Sequence, residues 1–354
     1  MITNNLIKYN AHAVKYVKAY GLKDAKGVIK DINVQINKDF GLAGPLTLSS
    51  TSAKIHSVRW VLARESFVVQ TKVKRVTKET VAAAVAQINK CPYCEDVHGA
   101  SIQSAGGHLT TKAFTDGTWE LLTDQKLKSI IHWSLNTRNP EAGIIKNPPF
   151  TANEAPEIIG TALNFHSTNR LVSIFLDESP LPGILKNKLI KKAALDFASK
   201  TLFKSMVQKE AIPGDSLKFI GRYPVSNSSK WALPVPAYAA ALAAEEHLLK
   251  EIELGSIPEN ITSTFKDFVS NWNGEEMPLG RSWLNEVVKP IPEMEKPLAN
   301  LMFLSAFTPY TITETDINLF RSVKPSDHEL IEFSFWAIQT LTNRIAKWLT
   351  EPFN

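Results

Sequence analysis

Residues 79–100 read ETVAAAVAQINKCPYCEDVHGA, and this stretch decides how the surrounding chain folds. The alanine-rich part before Lys90 is a strong helix former. Pro92 cannot continue that helix, but it suits the first position of a new helix, and it disfavours the α conformation at Cys91. The stretch therefore predicts two helices with a sharp break between them at the cysteines.

The polar side chains of this stretch have the spacing of a proton relay. Cys94 falls in the first turn of the second helix, where free N–H groups and the positive end of the helix dipole stabilise a thiolate. His98 lies four residues later on the same face and can take the thiol proton. In an antiparallel hairpin, Glu79 lies ~18 Å and His98 ~10 Å from the bend, and their side chains, with or without a water, reach across the remaining ~8 Å. We therefore predict a relay of Glu79, His98 and Cys94, with Cys91 as partner thiol.

The composition is that of an ordinary globular protein. Of 354 residues, 44% are hydrophobic and 21% charged, which suits a large core and a chain of about two units. Two cysteines are too few for a secreted disulfide scaffold and no signal-peptide pattern is visible, so we expect a cytoplasmic protein. The net charge of +5 is not clustered enough to indicate nucleic-acid binding, and the basic run at 186–192 is typical of a solvated helix face. The apolar run at 237–244 is too short to span a membrane.

Apolar residues recur at three- and four-residue spacing along nearly the whole chain, which predicts an all-α fold. The predicted helices are 54–70, 77–89, 155–176, 186–207, 237–254 and 327–349. Breaks rich in Pro and Gly are predicted at 41–45, 139–149, 180–183, 213–236 and 277–297. The string Cys-Pro-Tyr-Cys also occurs in glutaredoxins, but their fold needs a β-strand before the first cysteine, and here a helix precedes it.

The layout of the cysteine segment recurs twice without cysteines. The pairs at the same twelve-residue interval are Glu79–Cys91, Glu154–His166 and His328–Thr340. Asn-Arg follows His166 and Thr340 at the position that Cys94 has in the first segment. We therefore predict a helical bundle with an internal, partly degenerate repeat. Its parts would be an N-terminal helical extension at 1–45, a redox-active unit at 46–180, a connecting segment at 181–230 and a second helical unit at 231–354.

These residues resemble the AhpD-like alkylhydroperoxidase branch of the carboxymuconolactone decarboxylase family. The motif of that branch is Glu, eleven residues, Cys-x-x-Cys, three residues and His. Glu79, Cys91, Cys94 and His98 match it at every position, and Tyr93 fits the position before the second cysteine, which is often aromatic. The resemblance covers residues 46–176 well, and the later segments resemble the long, two-repeat members with less specific residues.

The resemblance implies an all-α, thiol-dependent peroxidase with a small hydroperoxide as substrate. Cys94 would be the peroxidatic thiol that becomes a sulfenic acid, and Cys91 would condense with it to a disulfide. His98 and Glu79 would move the proton. A dithiol donor such as a lipoyl domain or a thioredoxin-like protein would reduce the disulfide. We expect a homo-oligomer without a cofactor or metal, and since the members that decarboxylate lactones generally lack the cysteine pair, we do not expect that reaction.

Three other interpretations of the cysteines stay open. A thiol–disulfide oxidoreductase or a redox-sensing protein would use the same pair without peroxide turnover. A zinc site of Cys91, Cys94, His98 and His108 would lack the usual paired spacing. In the third interpretation, Cys91 and Cys94 are inert buried thiols, as free cysteines often are, and His98 is a hydrogen-bonded core histidine.

Other polar residues are more typical of structure than of chemistry. His166 and Asn169 stand at the cysteine positions of the second segment, where they could line a pocket, but a hydrogen-bonded core position is favoured. Arg64 and Glu65 are typical of a surface or helix-joining ion pair. The EEH run at 245–247 resembles a metal cluster only superficially, because consecutive residues point to different faces of a helix.

Overall fold

The structure is a computed structural model that describes residues 14–181 and 188–354. Within these two ranges it contains helices and no β-strand, which confirms the all-α prediction. The helices of the first half are α1 (Gly27–Asp39), α2 (Gly44–Thr47), α3 (Ala53–Ala63), α4 (Arg75–Ile88), α5 (Pro92–Ser104), α6 (His108–Thr115), α7 (Gln125–Leu135), α8 (Gly143–Lys146) and α9 (Ala155–Phe175). Those of the second half are α10 (Lys188–Ala198), α11 (Lys204–Val207), α12 (Pro236–Ser256), α13 (Glu259–Asn271), α14 (Ser282–Val287), α15 (Lys296–Phe307), α16 (Glu314–Val323) and α17 (Asp327–Thr350).

The long helices lie where the apolar spacing predicts them, and the breaks are less regular than expected. A π-helical turn at Arg64–Val68 continues α3, and another at Ser199–Phe203 joins α10 to α11. The predicted breaks at 139–149 and 277–297 were partly wrong, because the short helix α8 lies within the first and α14 within the second. A six-residue helix between prolines is too short to produce a clear apolar period, so its sequence resembles that of a loop.

The hairpin of α4 and α5 has a defined bend. Lys90 has a φ of 54°, in the left-handed region, and this reverses the chain after α4 ends. The N–H of Cys91 donates to the carbonyl of Ala86, 3.0 Å away, and the carbonyl of Cys91 accepts from the N–H of Glu95 at 3.0 Å. Cys91 therefore closes one helix and caps the next, with Pro92 at the first position of α5.

Helix α9 lies at the centre of the molecule and packs against α4 and α17. Almost all of its residues are buried, so it has no solvated face. Polar contacts also join the two halves: the indole of Trp348 donates to the carbonyl of Thr137 at 2.9 Å, and Arg170 Nε donates to the carbonyl of Ala306 at 2.7 Å. In the described part of the chain, no helix combines the length and the apolar character needed to cross a membrane.

The segments with the repeated spacing differ in their local structure. The interval from Glu79 to Cys91 crosses the break between α4 and α5. The other two intervals lie along unbroken helices, since Glu154 is the N-cap residue of α9 and His328 is the second residue of α17. The internal repeat and its four parts stay a prediction. Residues 1–13 of the extension, 182–187 of the connecting segment and the first two residues of the basic run at 186–192 lie outside the described residues.

Candidate active site

The cysteine pair lies at the start of α5, and both side chains are buried. Cys91 is the N-cap residue and Cys94 lies in the first helical turn. A disulfide joins them, with the two Cα atoms 5.4 Å apart. Only 1% of Cys91 and 3% of Cys94 is exposed, so a bulky partner has no open path to the sulfurs in this conformation.

A buried carboxylate stands behind His98. Nδ1 of His98 lies 2.7 Å from Oε2 of Glu79, and Nε of Arg75 donates to the other carboxylate oxygen at 2.8 Å. The link between α4 and α5 is thus a direct hydrogen bond and contains no water. Glu79 is fully buried, and its two partners are almost fully buried.

The charges around Glu79 determine which nitrogen of His98 carries a proton. Burial alone would raise the pKa of Glu79, but the charge of Arg75 and the hydrogen bond from His98 outweigh it and lower the pKa below the usual 4.5. An ionised carboxylate only accepts hydrogen bonds, so Nδ1 of His98 must carry the proton that it donates. Among the described residues none hydrogen-bonds Nε2, which is therefore the ring atom that can accept or release a proton.

Aromatic side chains hold the histidine and the arginine in place. The ring of Phe165, from α9, meets the His98 ring edge to face at a centroid distance of 4.4 Å. The guanidinium of Arg75 lies 4.2 Å from the centre of the Phe67 ring, within the range of a cation–π contact. These contacts exclude water from the Glu79 carboxylate and strengthen its interactions with both partners.

A cavity of about 180 Å³ opens beside the disulfide, and most of its lining is apolar. Cys94 and His98 line this cavity, whereas Cys91 and Glu79 do not. A small molecule in the cavity would therefore lie beside Cys94 and His98 rather than beside Cys91 and Glu79.

The other polar residues singled out in the sequence lie apart from this cavity. His166 is buried, with Nε2 at 2.9 Å from the hydroxyl of Thr137 and Nδ1 at 3.2 Å from the amide of Asn89. Burial and then the charges of Arg170 and Arg138 lower the pKa of His166 well below 6.5, so it is a neutral core histidine. Asn169 is fully buried beside it in α9 and does not line the cavity.

Arg64 and Glu65 form a buried ion pair, not a surface pair. Arg64 also donates to Asp39 at 2.7 Å, and Glu65 accepts from the hydroxyl of Ser216 at 2.6 Å. The pair therefore joins α1 and the loop after α11 to the turn at 64–68. Over the described ranges, no group of three or more His, Cys, Asp or Glu side chains is placed to hold a metal ion. His108 is exposed at the start of α6.

Two residues of the site were missed in the sequence. Arg75 precedes Glu79 by four residues, the spacing of a helical ion pair, and that signal was available. Phe165 had no such signal, since its place against His98 depends on the packing of α9 over the hairpin.

The fold and the site define a class: an all-α protein with a redox-capable cysteine pair backed by a buried histidine and carboxylate. The profile of the carboxymuconolactone decarboxylase family matches residues 58–107, which include the whole motif from Glu79 to His98. The chain is also 31% identical, over 339 residues, to a protein of Mycobacterium tuberculosis named alkyl hydroperoxide reductase, covering 95% of each chain. This protein belongs to the carboxymuconolactone decarboxylase family and to its AhpD-like branch.

Proposed function

We propose that this protein is a thiol-dependent hydroperoxide reductase that cycles Cys91 and Cys94 between dithiol and disulfide. The observation that carries the proposal is that Cys94 and His98 line one cavity while Glu79 holds Nδ1 of His98. The relative from Mycobacterium tuberculosis supports it, because its name assigns it the reduction of alkyl hydroperoxides.

The reaction starts from the reduced pair. His98 Nε2 takes the proton of the Cys94 thiol, and the thiolate attacks the terminal oxygen of the hydroperoxide. The O–O bond breaks, Cys94 becomes a sulfenic acid, and the alkoxide that leaves takes up the proton to form an alcohol. Glu79 is a positioning residue in this step, because it fixes the tautomer of His98 and stabilises the imidazolium.

The disulfide is the product of the second step. The thiol of Cys91 attacks the sulfenic sulfur of Cys94, a disulfide forms and water leaves. A dithiol donor then reduces the disulfide by exchange and is itself oxidised. We expect that donor to be a lipoyl domain or a thioredoxin-like protein, in a homo-oligomeric, cytoplasmic enzyme that serves in antioxidant defence.

Peroxide consumption by wild type, Cys94→Ser and Cys91→Ser tests this proposal. With dithiothreitol or dihydrolipoamide present, wild type should consume hydrogen peroxide or cumene hydroperoxide catalytically, and Cys94→Ser should not. In the absence of reductant, Cys91→Ser should consume one equivalent and then hold a sulfenic acid, which dimedone labels and mass spectrometry detects. If no hydroperoxide is consumed but the disulfide is reduced reversibly, the protein is a thiol–disulfide oxidoreductase or a redox sensor.

A further inference from the structure

Arg59 of α3 is a cationic side chain of the active-site cavity that has no carboxylate partner. Half-buried Arg59 lines the cavity together with Cys94 and His98, and it also lines a smaller neighbouring cavity together with Glu245. Nη1 donates to the hydroxyl of Ser49 at 2.8 Å and Nη2 to the carbonyl of Pro45 at 3.1 Å. Over residues 14–181 and 188–354, no aspartate or glutamate forms an ion pair with Arg59.

Among the described residues, some arginines are paired with carboxylates, and others, such as the buried Arg170, donate only to backbone carbonyls. Arg64 has the carboxylates of Asp39 and Glu65, and Arg75 has that of Glu79. Burial of an unpaired charge is costly, and proteins normally compensate for it with a partner of opposite charge. Burial lowers the pKa of Arg59 to about 10, which leaves the guanidinium charged at neutral pH. An anionic ligand would supply the missing partner.

The other residues that line the cavity indicate what kind of molecule would carry the anionic group. Trp60, Phe165 and Met206 give the cavity apolar walls. Its volume of about 180 Å³ exceeds the ~150 Å³ of an engineered apolar cavity that holds benzene. The cavity therefore has room for an aryl or a short branched alkyl body.

We propose that Arg59 binds the carboxylate of an anionic organic hydroperoxide whose apolar body fills the cavity and whose O–O group meets Cys94. The inference rests on the proposed function and specifies its substrate class. Guanidinium and carboxylate match as a fork-shaped pair with two parallel hydrogen bonds, which gives orientation as well as affinity. The same chemistry would make neutral hydroperoxides poorer substrates, because they leave the guanidinium unpaired.

A matched pair of substrates tests the assignment in the full-length enzyme. We would compare cumene hydroperoxide with its para-carboxylated analogue, which differ only in the carboxylate. Wild type should prefer the acid in kcat/KM by about tenfold or more, the usual scale of a hydrogen bond to a charged group. Arg59→Gln should lose most of this preference through a higher KM for the acid, and Arg59→Lys should keep part of it. Lys250→Gln, which removes one exposed positive charge from α12, is the control and should keep the wild-type preference.

Binding of unreactive analogues separates this inference from the proposed function. In Cys94→Ser, calorimetry with 4-isopropylbenzoate and 4-isopropylbenzyl alcohol measures the carboxylate preference without any turnover. If no hydroperoxide is reduced but the benzoate binds tightly and Arg59→Gln abolishes that binding, the enzymatic proposal fails and the anion site stands.

Two results would overturn the anion site. One is equal affinity for the acid and the alcohol in the Cys94→Ser protein, which decides the question even if Arg59→Gln does not fold. The other is loss of the acid preference in Lys209→Gln with its retention in Arg59→Gln. Lys209 is the second cation that lines the cavity, and its ammonium donates to the carbonyl of Asn37 at 2.7 Å.

Discussion

Nδ1 of His98 and Oε2 of Glu79 lie 2.7 Å apart, although nineteen residues separate them in the chain. The contact exists because the chain reverses at Lys90 and brings α5 back along α4. With Arg75 on the other carboxylate oxygen, Glu79 is ionised, and an ionised Glu79 keeps the proton of His98 on Nδ1. The hairpin thus fixes the orientation of the His98 ring, which lines the same cavity as Cys94.

Glu79→Gln should separate this positioning role from simple packing. The amide has the same shape but lacks the charge that stabilises an imidazolium, so peroxide turnover should fall by about a hundredfold, within the usual range for acid–base catalysis. The variant should also unfold more easily by about 3 kcal/mol, because Arg75 loses its buried partner. The pH profile of kcat/KM should shift as well, which a purely structural defect would not cause.

Glu157→Gln is the matched control for that variant. Glu157 is also a buried carboxylate, paired with the buried Lys78, and it accepts from the hydroxyl of Thr71 at 2.7 Å. It does not line the active-site cavity. A comparable loss in the free energy of unfolding with near wild-type turnover is expected for Glu157→Gln. Equal losses of turnover in both variants would contradict the positioning role of Glu79.

The buried carboxyl of Glu245, in α12, makes the free energy of unfolding depend on pH. Its pKa is raised, whereas that of Glu79 is lowered, so the two pH dependences have opposite signs. Burial raises the pKa of Glu245 from 4.5 to about 7, although a hydrogen bond from Gln339 opposes the rise. Between these two pH values the folded protein holds a proton that the unfolded chain has released. The free energy of unfolding therefore falls as pH rises through this window, by up to about 3 kcal/mol at ~1.4 kcal/mol per pKa unit.

Glu245→Gln should remove this dependence. Urea unfolding at several pH values should show the stability of the variant, relative to wild type, growing between pH 4 and pH 8. Glu286→Gln removes a charge from an exposed residue of α14 and controls for the loss of one carboxylate. A difference between variant and wild type that stays constant over this range would show that Glu245 is ionised in the folded protein.

The sequence supported those parts of the site that local rules govern. The alanine-rich run, Pro92 and the spacing of Cys94 and His98 act over one or two helical turns. Helix α4 begins and ends within two residues of the prediction, and α5 begins at Pro92 as predicted. The distance between Glu79 and His98 was harder to predict from the sequence, because the rise per residue gives only the separation along the helix axes. How far apart the two helices pack, and whether water enters, depends on every side chain between them.

The cavity could not be predicted from the sequence. Arg59 lies in α3 and Phe165 in α9, and nothing near the cysteines indicates that these helices close over them. In the sequence, each is an ordinary residue of an amphipathic or buried helix. Only the tertiary packing places it at the cavity. For His166 the sequence favoured a hydrogen-bonded core position, and the structure has it there, neutral and in an unbroken helix.

Replacing two helical glycines with alanine should change stability in opposite directions, because α9 is closely packed at Gly160 and α5 is not at Gly99. A Cβ on Gly160 would stand 2.8 Å from Cβ of Ser66 and 2.8 Å from the ring of Tyr238, closer than carbon atoms approach. Gly160→Ala should therefore lower the free energy of unfolding by about 1–2 kcal/mol, because overpacking outweighs the gain in helix propensity. In α5, a Cβ on Gly99 meets nothing within 4 Å, so Gly99→Ala should raise it by about 0.5–1 kcal/mol. Urea denaturation of both variants measures the two effects. Stabilisation by Gly160→Ala would mean that α9 and α12 lie further apart than the 2.8 Å contact with Tyr238 implies.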